Sequence, residues 1–162
     1  MDKLDLKKRR KKTSREVGLY NRFLWQRYSL AFLFFFNFNW LIFTIGSTSF
    51  FIIPLILLIA CILGLFEHVK LYGKHDNQLL KTKLSFKAQL IVIAIMLVSQ
   101  LDKGIFHYIF PFLKFQKESF FLVSIGAIVL TIICLVNLYA ISQISRNKDS
   151  YYRKVVKVIN KY

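Results

Sequence analysis

The sequence predicts an all-α integral membrane protein with four transmembrane helices arranged as two antiparallel hairpins, and a basic amphipathic helix at each terminus. Three observations carry that expectation. Long apolar runs fall at about Tyr28–Gly46, Phe50–Phe66, Leu84–Leu101 and Phe120–Ile144, and Lys87 is the one charged residue inside them. A hydrocarbon core of about 30 Å takes roughly 20 helical residues, with a working range of about 17–25. The basic residues gather on alternate connections. Of the 24 Lys and Arg, ten precede the first run, five lie at the second connection (counting Lys87), and six follow the fourth. The connection after the first run holds none, and the one after the third holds Lys103, Lys114 and Lys117. Such a bias marks the cytoplasmic side, so both termini are expected there. Finally, 56% of residues are hydrophobic and Phe alone counts 17. They come in blocks rather than alternating with polar residues, which does not suit a soluble domain.

Residues 1–14 are polar and basic, without a face to bury, and are expected to be disordered until bound. From Arg15 the pattern changes. Val17, Tyr20, Leu24 and Tyr28 recur at helical spacing while Arg15, Arg22 and Gln26 point the other way. Residues 15–27 therefore read as an interfacial amphipathic segment anchored by Tyr20, Trp25 and Tyr28 at headgroup level, or as an early start of the first span. Lys7–Lys12 ahead of an apolar run resembles the start of a signal peptide. No A-x-A-like cleavage site follows, so the run reads as a retained span.

The four-helix transmembrane domain is expected over 28–144. The first span is rich in Phe and ends at Gly46-Ser-Thr-Ser49, enough for a tight turn only. Pro54 falls early in the second span, where a missing N–H costs least. The third span is the weakest: its uninterrupted part is Leu90–Val98, and Lys87 must snorkel to the cytoplasmic headgroups. Residues 102–117 are too charged at their ends to span and too apolar for a plain loop. They are expected in the outer interface, with Tyr108 and the Phe side chains dipped in; the alternative is a re-entrant dip breaking at Pro111. After Ser145, Tyr152, Val155, Val156 and Ile159 line one helical face among basic residues, so 145–162 reads as a basic amphipathic cytoplasmic tail. Ser49-Phe50-Phe51 and Ser119-Phe120-Phe121 form a faint echo seventy residues apart, consistent with duplicated hairpins or with chance in a Phe-rich chain.

The spans carry a short polar inventory and no deep Asp, Glu, Arg or His, which argues against proton relays, ion-coupled carriers and voltage sensors. Asn37, Asn39 and Asn137 are the candidate polar contacts between helices. Asn37 and Asn137 lie at similar depth and could bond across a helix contact, at about 0.6–2 kcal/mol. Ala60 and Gly64 make a weak small-xxx-small match on the second span. Cys61 and Cys134 read as buried free thiols, without disulfide or metal spacing. His68, beside Glu67, reads as a headgroup-level residue capping the second helix. No nucleotide, nucleophile or metal motif is present, so no cofactor or metal and no enzymatic activity are expected. The net charge of +16 calls for an anionic partner at the inner leaflet. Lys7, Lys8, Arg9, Arg10, Lys11, Lys12, Arg153, Lys154 and Lys157 are the expected lipid contacts, at about 1 kcal/mol each near an anionic surface. Nucleic acid is the minor alternative, without aromatic interleaving to support it.

The residue usage fits an AT-rich bacterial genome. The expected function is a non-enzymatic, multi-pass inner-membrane protein that docks to a larger membrane complex. A small oligomeric transporter or channel subunit is the alternative, and a lipid-modifying enzyme comes last. Partners would be anionic membrane lipids and either another membrane protein or further copies of the chain.

Overall fold

The computed structural model describes residues 21–46, 49–71, 78–149, 152 and 153, with isolated positions 6, 9, 13 and 17. Regular structure among them is entirely helical: α1 Leu24–Thr44, α2 Ile52–Lys70, α3 Leu80–Val98, α4 Lys103–Ile109 and α5 Lys117–Ser145, with single 3-10 turns at Ser49–Phe51 and Ser99–Leu101. Three helical stretches, Ile52–Lys70, Leu80–Leu101 and Lys117–Ser145, are long and apolar enough to cross a membrane. α1 is 21 residues long but falls short on composition, because Gln26, Arg27, Asn37 and Asn39 dilute its apolar residues.

Each apolar run thus becomes a helix, with shifted ends. α1 starts at Leu24 rather than Tyr28, and α3 starts at Leu80 rather than Leu84, taking Lys81, Thr82 and Lys83 into its first turn. Pro54 is the third residue of α2, within the first turn. α1 stops at Ile45, after which Gly46 takes φ +84°, a conformation that L side chains rarely adopt. α5 ends in a Schellman turn: Asn147 at φ 53° donates its N–H to Ile144 O, and Lys148 N donates to Gln143 O.

α1 packs chiefly on α2, α2 on α3, and α3 on α5, while α1 meets α5 along a thinner contact. At Gly64 of α2 the neighbours come close: an added Cβ would stand 3.1 Å from Leu30 Cδ1 and 3.4 Å from Ser85 Oγ. One apolar cluster, with Leu30, Leu33, Cys61, Phe86, Leu130, Cys134 and Ile141, fills the half of the bundle nearest the start of α1. A second gathers Trp40, Leu57, Val92 and Met96 under Phe106, Ile109 and Phe110.

That second cluster revises the picture of 102–117. Asp102 Oδ1 accepts the N–H of Ile105 at 2.9 Å and so caps α4. The short helix then turns Phe106 and Ile109, 0% and 1% exposed, onto the far ends of the long helices. Protein, rather than the surrounding medium, takes up these side chains; Tyr108 and Phe112 stay half exposed. Each member of the Ser-Phe-Phe echo lends a ring here: Phe50 lies 5.9 Å from Trp40, and Phe120 lies 5.3 Å from Phe106.

Candidate functional site

The buried surfaces of the long helices carry a column of polar groups, in three layers. The first joins the start of α1 to the end of α5. Arg22 Nε donates to Asp149 Oδ2 at 2.9 Å, and its NH2 group donates to Asp149 Oδ1, to Ile144 O at 2.8 Å and to Asn147 Oδ1 at 3.0 Å. The guanidinium also stands 5.3 Å from the Tyr152 ring. One side chain thus pairs with a carboxylate and satisfies a carbonyl at a helix end, where a cation is favoured. Asp149 in turn accepts the N–H of Tyr152 at 3.1 Å.

Beside it, α2 ends against the start of α3. Leu79, before α3, offers no side-chain cap. Glu67 replaces it from the neighbouring helix: Oε1 accepts from Lys81 N at 3.0 Å, and Oε2 accepts from Thr82 N and Thr82 Oγ1, both at 2.8 Å. The carboxylate meets the orphan N–H groups and positive dipole of a helix start. His68 Nε2 stands 3.3 Å from Thr82 Oγ1. The Thr82 proton goes to Glu67, so His68 Nε2 must supply the N–H, and its Nδ1 keeps a lone pair, buried with no partner. His68 therefore reaches across to α3 rather than capping its own helix. Ser85 Oγ ties the same pair of helices by donating to Ala60 O at 2.6 Å.

The central layer crosses the bundle. Asn37 Nδ2 donates to Gln89 Oε1 at 3.0 Å, linking α1 to α3 across their intervening neighbour α2, and also to Leu33 O at 2.9 Å. Cys61 lies against the Asn37 side chain and Cys134 lies near Cys61; both thiols are free and buried. Asn137 is 0% exposed and donates to Ile133 O at 2.7 Å on its own helix. Asn37 Oδ1, Gln89 Nε2 and Asn137 Oδ1 are all buried without a partner. A third layer holds Thr44 Oγ1 on Trp40 O at 2.9 Å, Ser99 Oγ on Met96 O at 2.7 Å, and Ser124 Oγ on Gln100 Oε1 at 3.3 Å.

Of the expected polar contacts, Asn37 and Asn137 are interior but bond to Gln89 and to Ile133 O, not to each other. Asn39 is exposed on the outer side of α1, donating to Phe35 O at 2.7 Å, so the three asparagines do not share a seam. Arg22 and Gln26, expected on a solvent-facing stripe, are 6% and 1% exposed, whereas Leu24, Trp25 and Tyr28 of the opposite stripe face out. The helix keeps its two faces, but the polar one points into the protein. Arg9 and Arg153 are described and exposed. Lys7, Lys8, Arg10, Lys11, Lys12, Lys154 and Lys157 lie outside the described residues, as do most of 1–14, 15–20 and the end of 145–162.

Gln89 escaped the sequence reading because the third apolar run is continuous only from Leu90. A signal was there: Thr82, Ser85 and Gln89 share one helical face, and Lys83 and Lys87 lie off it. Asp102 stands at the opposite end of α3 from Glu67 and His68, about 30 Å away at 1.5 Å per residue. Among the described residues, no three His, Cys, Asp or Glu come together as metal ligands would. No family model, curated protein or solved structure matches this chain. Fold and interior define an all-helical protein with three membrane-length apolar helices and an inward-facing polar column.

Proposed function

We propose that the chain is a four-span inner-membrane protein, its spans forming two antiparallel hairpins with both termini in the cytoplasm. Its role is non-enzymatic: it docks to a larger membrane complex while its basic ends lie on anionic lipid. The observation that carries this reading is the direction of its polarity. Gln26, Asn37, Thr82, Ser85, Gln89 and Asn137 point inward, while Phe35, Val69, Ile91, Phe121 and many other large apolar groups are exposed, a surface untenable in water and suited to lipid or another helix. α1 joins the spans despite its composition, since Asn37 is counted by hydropathy yet hidden from the surroundings. Its 21 residues cover about 31 Å at 1.5 Å per residue. The Arg22–Asp149 pair favours an even number of crossings, because it puts the beginning of α1 and the end of α5 together. Glu67, the carboxylate next to His68 in sequence, is engaged as a helix cap on α3, which suits a structural role for it.

Reporter fusions at residues 1 and 162 should both report cytoplasm, and crosslinking in native membranes should co-purify a stoichiometric membrane protein. Termini on opposite sides would overturn the topology. A chain that crosslinks to nothing, and whose deletion affects no membrane complex, would overturn the docking role.

One observation favours transport as a second reading: buried polar atoms without partners at Gln26, His68, Asn37, Gln89, Asn137, Trp40 and Gln100 recur along the bundle. Liposome flux that disappears in Asn37→Leu and Asn137→Leu would establish it over docking.

A further inference from the structure

The inward side of α1 advances in alternating steps of three and four residues through Leu30, Leu33, Asn37, Trp40 and Thr44, all buried. Its outward side repeats that spacing through Tyr28, Phe32, Phe35, Asn39 and Ile42. These are exposed, the four apolar ones by 48–67%, and no other helix among the described residues covers them. A 3.5-residue average is the spacing by which two helices keep one seam facing each other, with Phe32 and Asn39 at a positions and Tyr28, Phe35 and Ile42 at d positions.

Asn39 gives this seam its chemistry. It lies fifteen residues beyond Leu24 and five before Thr44, about 22 Å along a helix of about 31 Å and so within a hydrocarbon core about 30 Å thick. One of its N–H groups goes to Phe35 O. The second N–H and the carbonyl oxygen remain, and lipid tails offer neither a donor nor an acceptor. The carboxamide is its own complement: an identical group related by a twofold axis accepts its N–H and donates to its oxygen. The rest of the seam is aromatic or aliphatic, with no charge that would call for a partner of opposite sign.

We propose that two copies of the chain pack α1 against α1 along Tyr28, Phe32, Phe35, Asn39 and Ile42, with a reciprocal Asn39–Asn39 hydrogen-bonded pair at the centre. The contact is isologous, as a closed dimer requires. It rests on the reading of α1 as a membrane span and names the surface and partner that span uses.

The test uses the full chain in native membranes, with Phe35→Cys and Ile42→Cys as single variants and Ile62→Cys on α2 and Ile132→Cys on α5 as controls. Mild oxidation should give a covalent homodimer from the two seam variants and not from the controls. In vesicles, energy transfer between labelled copies should show Asn39→Leu weakening the dimer about tenfold, with Asn39→Gln close to the parent. Asn39 is exposed, so neither change disturbs the bundle. Equal crosslinking at all four positions, a seam that crosslinks to a different protein, or an Asn39→Leu dimer as tight as the parent would each overturn the proposal. Alkaline carbonate washing separates the two levels: a chain washed off the membrane sinks the spanning reading, whereas one that stays and remains monomeric sinks the dimer alone.

Discussion

Arg22, two residues before α1, holds Asp149, four residues beyond α5, in a two-pronged ion pair whose guanidinium side chain is 2% exposed. The pair closes the chain on itself across 127 residues of sequence, tying α1 to α5, which otherwise share only a thin contact.

Asp149→Ala should therefore be costly, since it strands a buried cation, a change worth about 3–5 kcal/mol in comparable sites. Thermal unfolding in mild detergent should show it well below the parent. Replacing both partners, Arg22→Met with Asp149→Leu, should recover much of the loss. A single variant as stable as the parent would show that the pair contributes nothing.

The Asn37–Gln89 bond should appear as coupling. A double-mutant cycle of Asn37→Ala and Gln89→Ala is expected to give about 0.6–2 kcal/mol, whereas Asn37→Ala with Asn137→Ala should be nearly additive. Equal coupling in the two cycles would contradict the geometry.

Glu67 caps a helix that is not its own. Glu67→Ala and Thr82→Val should each lower stability by about 1 kcal/mol, the usual cost of a lost cap, and the pair should cost less than the sum because one hydrogen bond is shared. Hydrogen exchange at Lys81 and Thr82 should quicken in the Glu67 variant; unchanged protection there would count against the cap.

Two glycines on apolar helices should respond differently. Gly64→Leu drives a branched side chain into Leu30 and Ser85 and should cost about 1–3 kcal/mol or more. Gly126 has nothing within 4 Å of an added Cβ, so Gly126→Ala should be neutral or stabilising by up to about 1 kcal/mol through helix propensity. Melting temperatures of the two variants decide it.

Helix and length were written in the chain itself: long apolar runs can satisfy their backbone only locally, so each of the four became a helix at nearly its expected position. The direction of the polar residues was not. Composition marked Asn37, Asn39 and Asn137 all as candidate contacts, yet packing turned two of them inward and left Asn39 outside, because a shift of two residues moves a side chain about 200° around a helix. Nor could local pattern say whether Arg22 and Gln26 faced water or protein, since an amphipathic stripe reads the same either way. The partners Asp149, Gln89 and Thr82 come from distant sequence, and hydrogen bonds between helices depend on register and rotation that only the assembled bundle sets.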